Sequence, residues 1–214
     1  MMREKFIKEL NKLNTELINM GSMCEEAIVA VYQQIDKGIF DETLYQKTSE
    51  LEKKTDDKEK EIESACLKLI FSQQPVASDL RLISAILKMV SDLERIADQT
   101  FDILDLFRSF TDVTLIRTTE LKKMSKVVAL MVSDSVASFI KRDVELAKEV
   151  LEQDAEVNTI FSTIKQALIS LITIDTKADE GESIVDILMI AKYLERIGDH
   201  STNIAESVIY VVNG

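Results

Sequence analysis

The hexapeptide Leu-Glu-Arg-Ile-Ala-Asp at residues 93–98 recurs as Leu-Glu-Arg-Ile-Gly-Asp at residues 194–199. The two copies lie close to half of the 214-residue chain apart, which indicates an internal duplication. Each copy places a glutamate and an aspartate four residues apart, a spacing that puts both on one face of a helix. The repeat therefore predicts two similar halves, each with a pair of acids on a helix.

The composition of the chain favours long helices. It contains five glycines and one proline, too few turn formers for a hairpin-rich β fold. Apolar residues make up 46% of the chain, which is enough for a sizeable core. The formal net charge of −12 argues against nucleic acid and anionic lipid as partners, because both attract basic surfaces. It favours cations, or a protein partner with a basic face.

The sequence shows no signal peptide and no membrane span. The charged N-terminal residues are not followed by an apolar run, and the longest apolar stretches, such as 167–174, are too short to cross a bilayer. Cys24 and Cys66 form no C-x-x-C motif and are most simply reduced thiols. We therefore expect a cytoplasmic protein without direct membrane insertion.

Apolar periodicity and helix breakers predict three helices in the first half. The first ends at Gly38, the second runs from about residue 41 to 71, and Pro75 marks a tight connection to the third. A threonine-rich stretch at 108–119 loses the helical period and separates the halves. Apolar residues that recur mostly at spacings of three and four along the first helix are Phe6, Leu10, Leu13, Leu17, Met20, Ala27, Val31 and Ile35.

The second half repeats this plan. Residues 141–143 are predicted to separate its first two helices, and a polar loop is predicted at 175–181. Ser183 with Asp186 is a plausible capping box for the last helix, which runs to about Val212.

Six helices in two similar triplets predict an all-α fold of two tandem three-helix bundles with antiparallel helices. The first bundle is predicted over residues 1–110 and the second over 117–214. The sequence leaves open whether the bundles pack side by side or end to end.

Acids on neighbouring helices are expected to meet in the first bundle. A short turn at Pro75 makes the second and third helices antiparallel, so residues equidistant from the turn lie at the same height. Glu52 is then level with Asp98, and Asp56 is level with Glu94. Four acids therefore fall within about one turn of helix.

The second bundle repeats this arrangement with one change. Asp154 is level with Asp199, and Asn158 is level with Glu195. Because Asn158 stands where an acid would complete the set, this site is expected to bind a cation more weakly. Residues one or two turns further on that can add ligands are Asp102, Asn203 and Glu206.

Clustered carboxylates favour a bound cation. Two unit charges about 6 Å apart repel by roughly 3 kcal/mol at an effective dielectric of about 20. The side chains must splay into water, become protonated or bind a metal. All-oxygen ligands suit hard ions such as Mg²⁺, Ca²⁺, Mn²⁺ or ferric iron. The alternative is a solvated acidic face crossed by salt bridges to Arg95, Arg196, Lys53 and Lys54.

Two further residues lie at the second hexapeptide. Gly198 in mid-helix costs up to about 1 kcal/mol relative to alanine, which close helix approach or plain small-residue packing would explain. His200 is the single histidine and is most simply an exposed helical residue. One histidine excludes a ferritin-like di-iron centre, which needs two. Because no phosphate loop, nucleophile elbow or Cys/His signature is visible, we expect no enzyme.

At these residues the chain resembles the PhoU-type regulators of bacterial phosphate transport. The resemblance covers nearly all of the chain and includes Asn-Met-Gly-Ser-Met at 19–23, Gln-Pro-Val-Ala-Ser-Asp-Leu-Arg-Leu at 74–82, and both hexapeptides, the second extended through 203–206. It implies two three-helix bundles, as the residues themselves do. It also implies multinuclear metal clusters, with iron or zinc in some members, on the motifs Glu52/Asp56, Glu94/Asp98, Asp154/Asn158 and Glu195/Asp199. Asn158 departs from that motif.

The resemblance further implies regulation. PhoU-like proteins hold down high-affinity phosphate uptake and phosphate-starvation signalling when phosphate is plentiful. They pass that signal to a membrane sensor histidine kinase, by contacting the ATPase of the phosphate ABC transporter and the kinase. Many members are dimers, so a homodimer is expected. The expected cofactors are divalent or ferric ions (Fe, Zn, Mn or Mg). Two rival hypotheses remain: a metal-dependent phosphoester hydrolase and a metal-free helical scaffold.

Overall fold

The computed structural model describes residues 2–73, 75–108, 115–116, 119–172 and 178–213. These residues form six long α-helices and no strand, which confirms the predicted all-α class. The helices are α1 (Met2–Lys37), α2 (Glu42–Gln73), α3 (Ala77–Leu106), α4 (Leu121–Lys141), α5 (Val144–Ile172) and α6 (Ala178–Asn213).

Local signals end α1 and begin α2. Gly38 has a φ of 73°, and its N–H donates to the carbonyl of Gln34 at 3.0 Å, which closes α1 where the sequence predicted its end. Asp41 then caps α2, because its Oδ1 accepts the backbone N–H groups of Thr43 at 2.9 Å and Leu44 at 3.2 Å.

The predicted break at 141–143 also combines a residue with positive φ at the end of one helix with an aspartate cap on the next. Arg142 has a φ of 53°, in the left-handed region, and its N–H donates to the carbonyl of Phe139 at 3.3 Å. Asp143 caps α5, since its Oδ1 accepts the N–H groups of Glu145 and Leu146, both at 3.1 Å.

The start of the last helix differs from the prediction. α6 begins at Ala178, inside the predicted loop at 175–181, of which residues 175–177 lie outside the described part. Ser183 is buried within the helix, so it does not form the predicted capping box with Asp186.

The two triplets form two bundles that lie side by side. Within each bundle all three helices contact one another, and between bundles α1 packs on α4 and α3 packs on α6. One continuous apolar core runs through both. The predicted domain limits at 110 and 117 fall outside the described residues and stay a prediction. Among the helices of the described residues, none has the length and apolar character needed to span a membrane.

Two glycines show how closely the helices pack. A Cβ added at Gly21 in α1 would lie 2.8 Å from Cγ1 of Val136 in α4, so the bundles approach closely there. A Cβ at Gly198 would lie 3.6 Å from Cγ1 of Val157 and 3.7 Å from Cε of Met131, which is ordinary contact. Close helix approach therefore explains Gly21 and does not explain Gly198.

Candidate metal centre

Five acids on α2 and α3 make up what we call the first acid cluster: Glu52, Asp56, Glu94, Asp98 and Asp102. All five are half-buried. The pKa of the Glu52 carboxyl is raised by partial burial and then by the charges of Asp98 and Asp56. The structure therefore brings together acids from both helices at the height that the turn at residue 75 indicates.

Two further members of the cluster, Glu94 and Asp102, also have raised pKa values. Burial raises the pKa of Glu94, and Glu59 and Asp98 raise it further while Arg95 lowers it. Burial and the charge of Asp98 raise the pKa of Asp102. A carboxyl group with a raised pKa is one whose negative charge is disfavoured by its surroundings. The first acid cluster thus carries a repulsion that the charge of Arg95 offsets only in part.

Two exposed basic side chains pair with this cluster from its solvent side. Arg95 lies 3.4 Å from Oε2 of Glu94 and 3.7 Å from Oδ2 of Asp98, and Lys60 lies 2.7 Å from Oδ2 of Asp56. Arg95 is 57% exposed and Lys60 is 66% exposed, so these ion pairs are screened by water and weak. The salt-bridged acidic face considered as an alternative is present in part, with Arg95 in its expected role.

The second acid cluster, which we define as Asp154, Glu195 and Asp199, is differently arranged. Burial, Glu195 and Asp154 raise the pKa of Asp199, and Lys192 lowers it. Asn158 donates from Nδ2 to Oδ2 of Asp154 at 2.7 Å, while Oδ1 of Asp154 is buried without a hydrogen-bond partner. Lys192 forms an ion pair with Glu195. This cluster is smaller and holds an ammonium group of its own.

Neither cluster has side chains already turned toward a common point. Across the described residues, no three His, Cys, Asp or Glu side chains are arranged to hold a metal ion. The first acid cluster supplies carboxylate oxygens from two adjacent helices, and these must rotate inward before they can bind one cation together.

Asn203 lies at the junction of the two bundles rather than at the second acid cluster. Its Nδ2 donates across the junction to Oδ1 of Asp92 at 3.0 Å. The same oxygen lies 2.9 Å from Nδ1 of His200, whose Nε2 is 3.4 Å from Nε2 of Gln99. His200 is therefore not the exposed residue that the sequence suggested, because the face of α6 that carries it packs on α3.

A related contact links the first acid cluster to the second bundle. Burial raises the pKa of Asp102 of α3, and the nearby hydroxyl of Tyr193 on α6 lowers it. In the register that aligns the two hexapeptides, Asp102 corresponds to Asn203 and Tyr193 corresponds to Asp92. The pairs Asp92–Asn203 and Tyr193–Asp102 are thus equivalent across an approximate two-fold relation between α3 and α6.

Three residues near the acid clusters were missed by the search for acid pairs. They are Glu59, which raises the pKa of Glu94, Lys192, which pairs with Glu195, and Tyr193, which lies near Asp102. An alignment of the two halves over their full length would have pointed to each of them, because the repeat pairs every position in one half with a position in the other.

These features define the class of the molecule: a duplicated helical protein with two three-helix bundles and an acid cluster in each. The PhoU domain family model matches residues 17–107 and 121–208. The chain belongs to the PhoU family, as the resemblance of its motifs predicted.

Individual relatives and solved structures agree with this assignment. The chain is 34% identical to the phosphate-specific transport system accessory protein PhoU homolog of Clostridium acetobutylicum, over 100% of this chain and 97% of that one. It is 30% identical to the phosphate-specific transport system accessory protein PhoU of Escherichia coli K12, over 98% and 86%. The crystal structure of PhoU from Pseudomonas aeruginosa superposes with a TM-score of 0.87, at 30% identity over 98% of this chain and 99% of that one. PhoU from Streptococcus pneumoniae, at 22% identity and a TM-score of 0.85, shares the fold over 96% of each chain.

Proposed function

We propose that this chain is a regulatory accessory protein of a phosphate transport system, which holds down high-affinity phosphate uptake when phosphate is plentiful. One observation carries the proposal: the PhoU family match extends over both bundles, and relatives of 30–34% identity are named phosphate-specific transport system accessory proteins. Those names describe accessory proteins and not enzymes.

We further propose that the protein acts in the cytoplasm as a homodimeric adaptor between the ATPase of a phosphate ABC transporter and its sensor histidine kinase. An adaptor needs surfaces and not a nucleophile. The two thiols fit this role, because burial raises the pKa of Cys24 and raises that of Cys66 to about 12, so both stay protonated and unreactive.

Deletion of the gene tests the regulatory role directly. In a medium rich in phosphate, the deletion strain is expected to take up phosphate constitutively and to express phosphate-starvation genes, and a wild-type copy should restore repression. Normal repression in the deletion strain would show that the proposal is wrong. Co-purification with the ATPase and the kinase, and a solution mass twice that of one chain, test the adaptor and dimer.

The first acid cluster is the proposed site for a divalent or ferric ion. Its donor set fits, because the acids are half-buried and three of them have raised pKa values that a nearby positive charge would lower. Oxygen donors suit Mn²⁺, Mg²⁺ and ferric iron, and Zn²⁺ also accepts carboxylates. A bound ion would supply positive charge between α2 and α3, held by Glu52, Asp56, Glu94 and Asp98.

Metal content and calorimetry test this site. Protein purified without chelator is expected to contain metal, and chelated protein is expected to bind Mn²⁺ and melt at a higher temperature with it. Glu52→Gln with Asp98→Asn should abolish both effects. An absence of metal together with unchanged melting would instead support the metal-free scaffold.

The hydrolase alternative receives no support from the described geometry. His200, the single histidine, is engaged with Asp92 at the junction instead of lying among the carboxylates of the first acid cluster. Steady phosphoester turnover by metal-loaded protein, lost on Glu94→Ala, would revive that alternative.

A further inference from the structure

The repeat places different side chains at equivalent positions of the two acid clusters. The register is fixed by the two hexapeptides on α3 and α6, and by Glu52 and Asp154 on α2 and α5. Three acids of the first half then have uncharged counterparts, which are Asn158 for Asp56, Phe161 for Glu59 and Asn203 for Asp102. With Glu59 counted beside the first acid cluster, the second cluster has half as many carboxylates as the equivalent positions of the first half.

A fourth exchange adds a positive charge to the second cluster. In the first half, the hydroxyl of Ser91 donates to Oε1 of Glu59 at 3.1 Å. The counterpart of Ser91 is Lys192, and the counterpart of Glu59 is Phe161. A polar pair at the edge of the first acid cluster is thus replaced by a lysine and an aromatic ring.

Lys192 is held where it can neutralise the second cluster. Its Nζ forms an ion pair with Glu195 and lies 5.5 Å from the centre of the Phe161 ring, a cation–π distance. The side chains of Lys192 and Glu195 are 44% and 15% exposed, close to the 57% and 18% of Arg95 and Glu94 at the first cluster, so water screens the two pairs to a similar degree.

We propose that Lys192 is an internal cation that takes the place of a metal ion in the second acid cluster, so that the chain binds metal at the first cluster alone. This inference rests on the proposed metal site of the first cluster and deepens it. Asp154 keeps one buried oxygen without a partner, so the second cluster retains an acceptor for a cation once the lysine is removed.

The test restores the second site in a protein whose first site has been disabled. Glu52→Gln with Asp98→Asn neutralises the first cluster with little change of shape, and this protein is expected to bind no Mn²⁺ in calorimetry or by electron paramagnetic resonance of free Mn²⁺. Addition of Asn158→Asp and Lys192→Ser is expected to restore binding of at least one Mn²⁺ per chain. Circular dichroism verifies that each variant remains helical.

The outcomes separate this inference from the proposed metal site. Mn²⁺ binding that persists with the first cluster disabled, or that fails to return in the folded fourfold variant, overturns the role of Lys192. An unaltered chain that binds no Mn²⁺ refutes the proposed first site. In that case a gain of binding on Asn158→Asp with Lys192→Ser still supports the role of the lysine, and no gain refutes it.

A second measurement uses single substitutions in metal-free protein. Lys192→Ser is expected to lower Tm by about 2–4 °C, because it leaves the acids of the second cluster without a counter-charge. Lys148→Ser is the matched control, since Lys148 pairs with Glu145 at 2.8 Å with the same three-residue spacing on an exposed face of α5. Equal melting of the two variants would count against an internal cation.

Discussion

Replacement of Gly21 by alanine would add one methyl group where α1 meets α4. The new Cβ would lie 2.8 Å from Cγ1 and 3.0 Å from Cγ2 of Val136. Val136 is only 5% exposed, and a β-branched side chain in a helix has one strongly preferred rotamer, so it cannot move aside cheaply. Overpacking of this kind costs about 1–3 kcal/mol.

The same substitution at Gly198 is the matched control. There a Cβ finds its nearest neighbour at 3.6 Å, so it makes ordinary contacts and no clash. Both sites lie inside helices, where alanine is favoured over glycine by about 1 kcal/mol. Gly198→Ala is therefore expected to stabilise the protein by about that amount, and Gly21→Ala to destabilise it by up to about 2 kcal/mol after the same helical gain.

The difference between the two variants isolates the contact, because the helical term is common to both. Urea denaturation followed by circular dichroism should place Gly21→Ala about 1–3 kcal/mol below Gly198→Ala. In a double-mutant cycle, Val136→Ala should remove most of the penalty, since it deletes the methyl groups in the way. Equal free energies of unfolding for the two glycine variants would refute the close approach of the bundles.

Three further substitutions test other features. Glu52→Gln should raise Tm at pH 7 without metal, because the raised pKa of Glu52 means that stability falls as pH rises through that pKa. The gain in Tm must therefore vanish in melts near pH 4. A gain that persists at that pH contradicts the reasoning. Asp92→Ala leaves its partners across the junction unpaired and should lower the free energy of unfolding by about 1–3 kcal/mol in urea denaturation. The control Asp57→Ala, at an exposed position, should change it by no more than about 0.5 kcal/mol. Equal values for the two variants would argue against a structural role for the junction. Asp41→Ala should lower the free energy of unfolding through the lost cap of α2. Lys37 lowers the pKa of Asp41, so this loss must shrink in acid as pH falls through the folded pKa. A loss that stays constant with pH would exclude the carboxylate as its source.

The helices could be predicted from the sequence because their boundaries depend on local chemistry. Gly38, Pro75 and the segment 141–143 end or separate helices through backbone geometry that a few residues determine. The predicted start of α6 was wrong because a serine buried inside a helix and a serine that caps a helix look alike in sequence. Only the position of Ser183 in the fold distinguishes them.

Contacts between the bundles could not be predicted in the same way. Helical periodicity shows which face is buried but not which helix covers it, so the junction contact of His200 and the tight packing at Gly21 were not foreseen. The convergence of acids on α2 and α3 was foreseen, because a short turn fixes which residues lie level. Lys192 was missed because a search for acids does not include the basic residue that forms an ion pair with one of them.

The side-by-side arrangement of the bundles has a consequence for each half taken alone. Each bundle covers two of its three helices with the other, so a fragment ending after α3 would expose the faces of α1 and α3 to water. In a pair of two first-half fragments, Asp102 would take the place of Asn203 opposite Asp92, so a carboxylate would face a carboxylate where the intact chain has a hydrogen bond. Repulsion between like charges therefore favours the union of the two different halves over the pairing of two identical first halves.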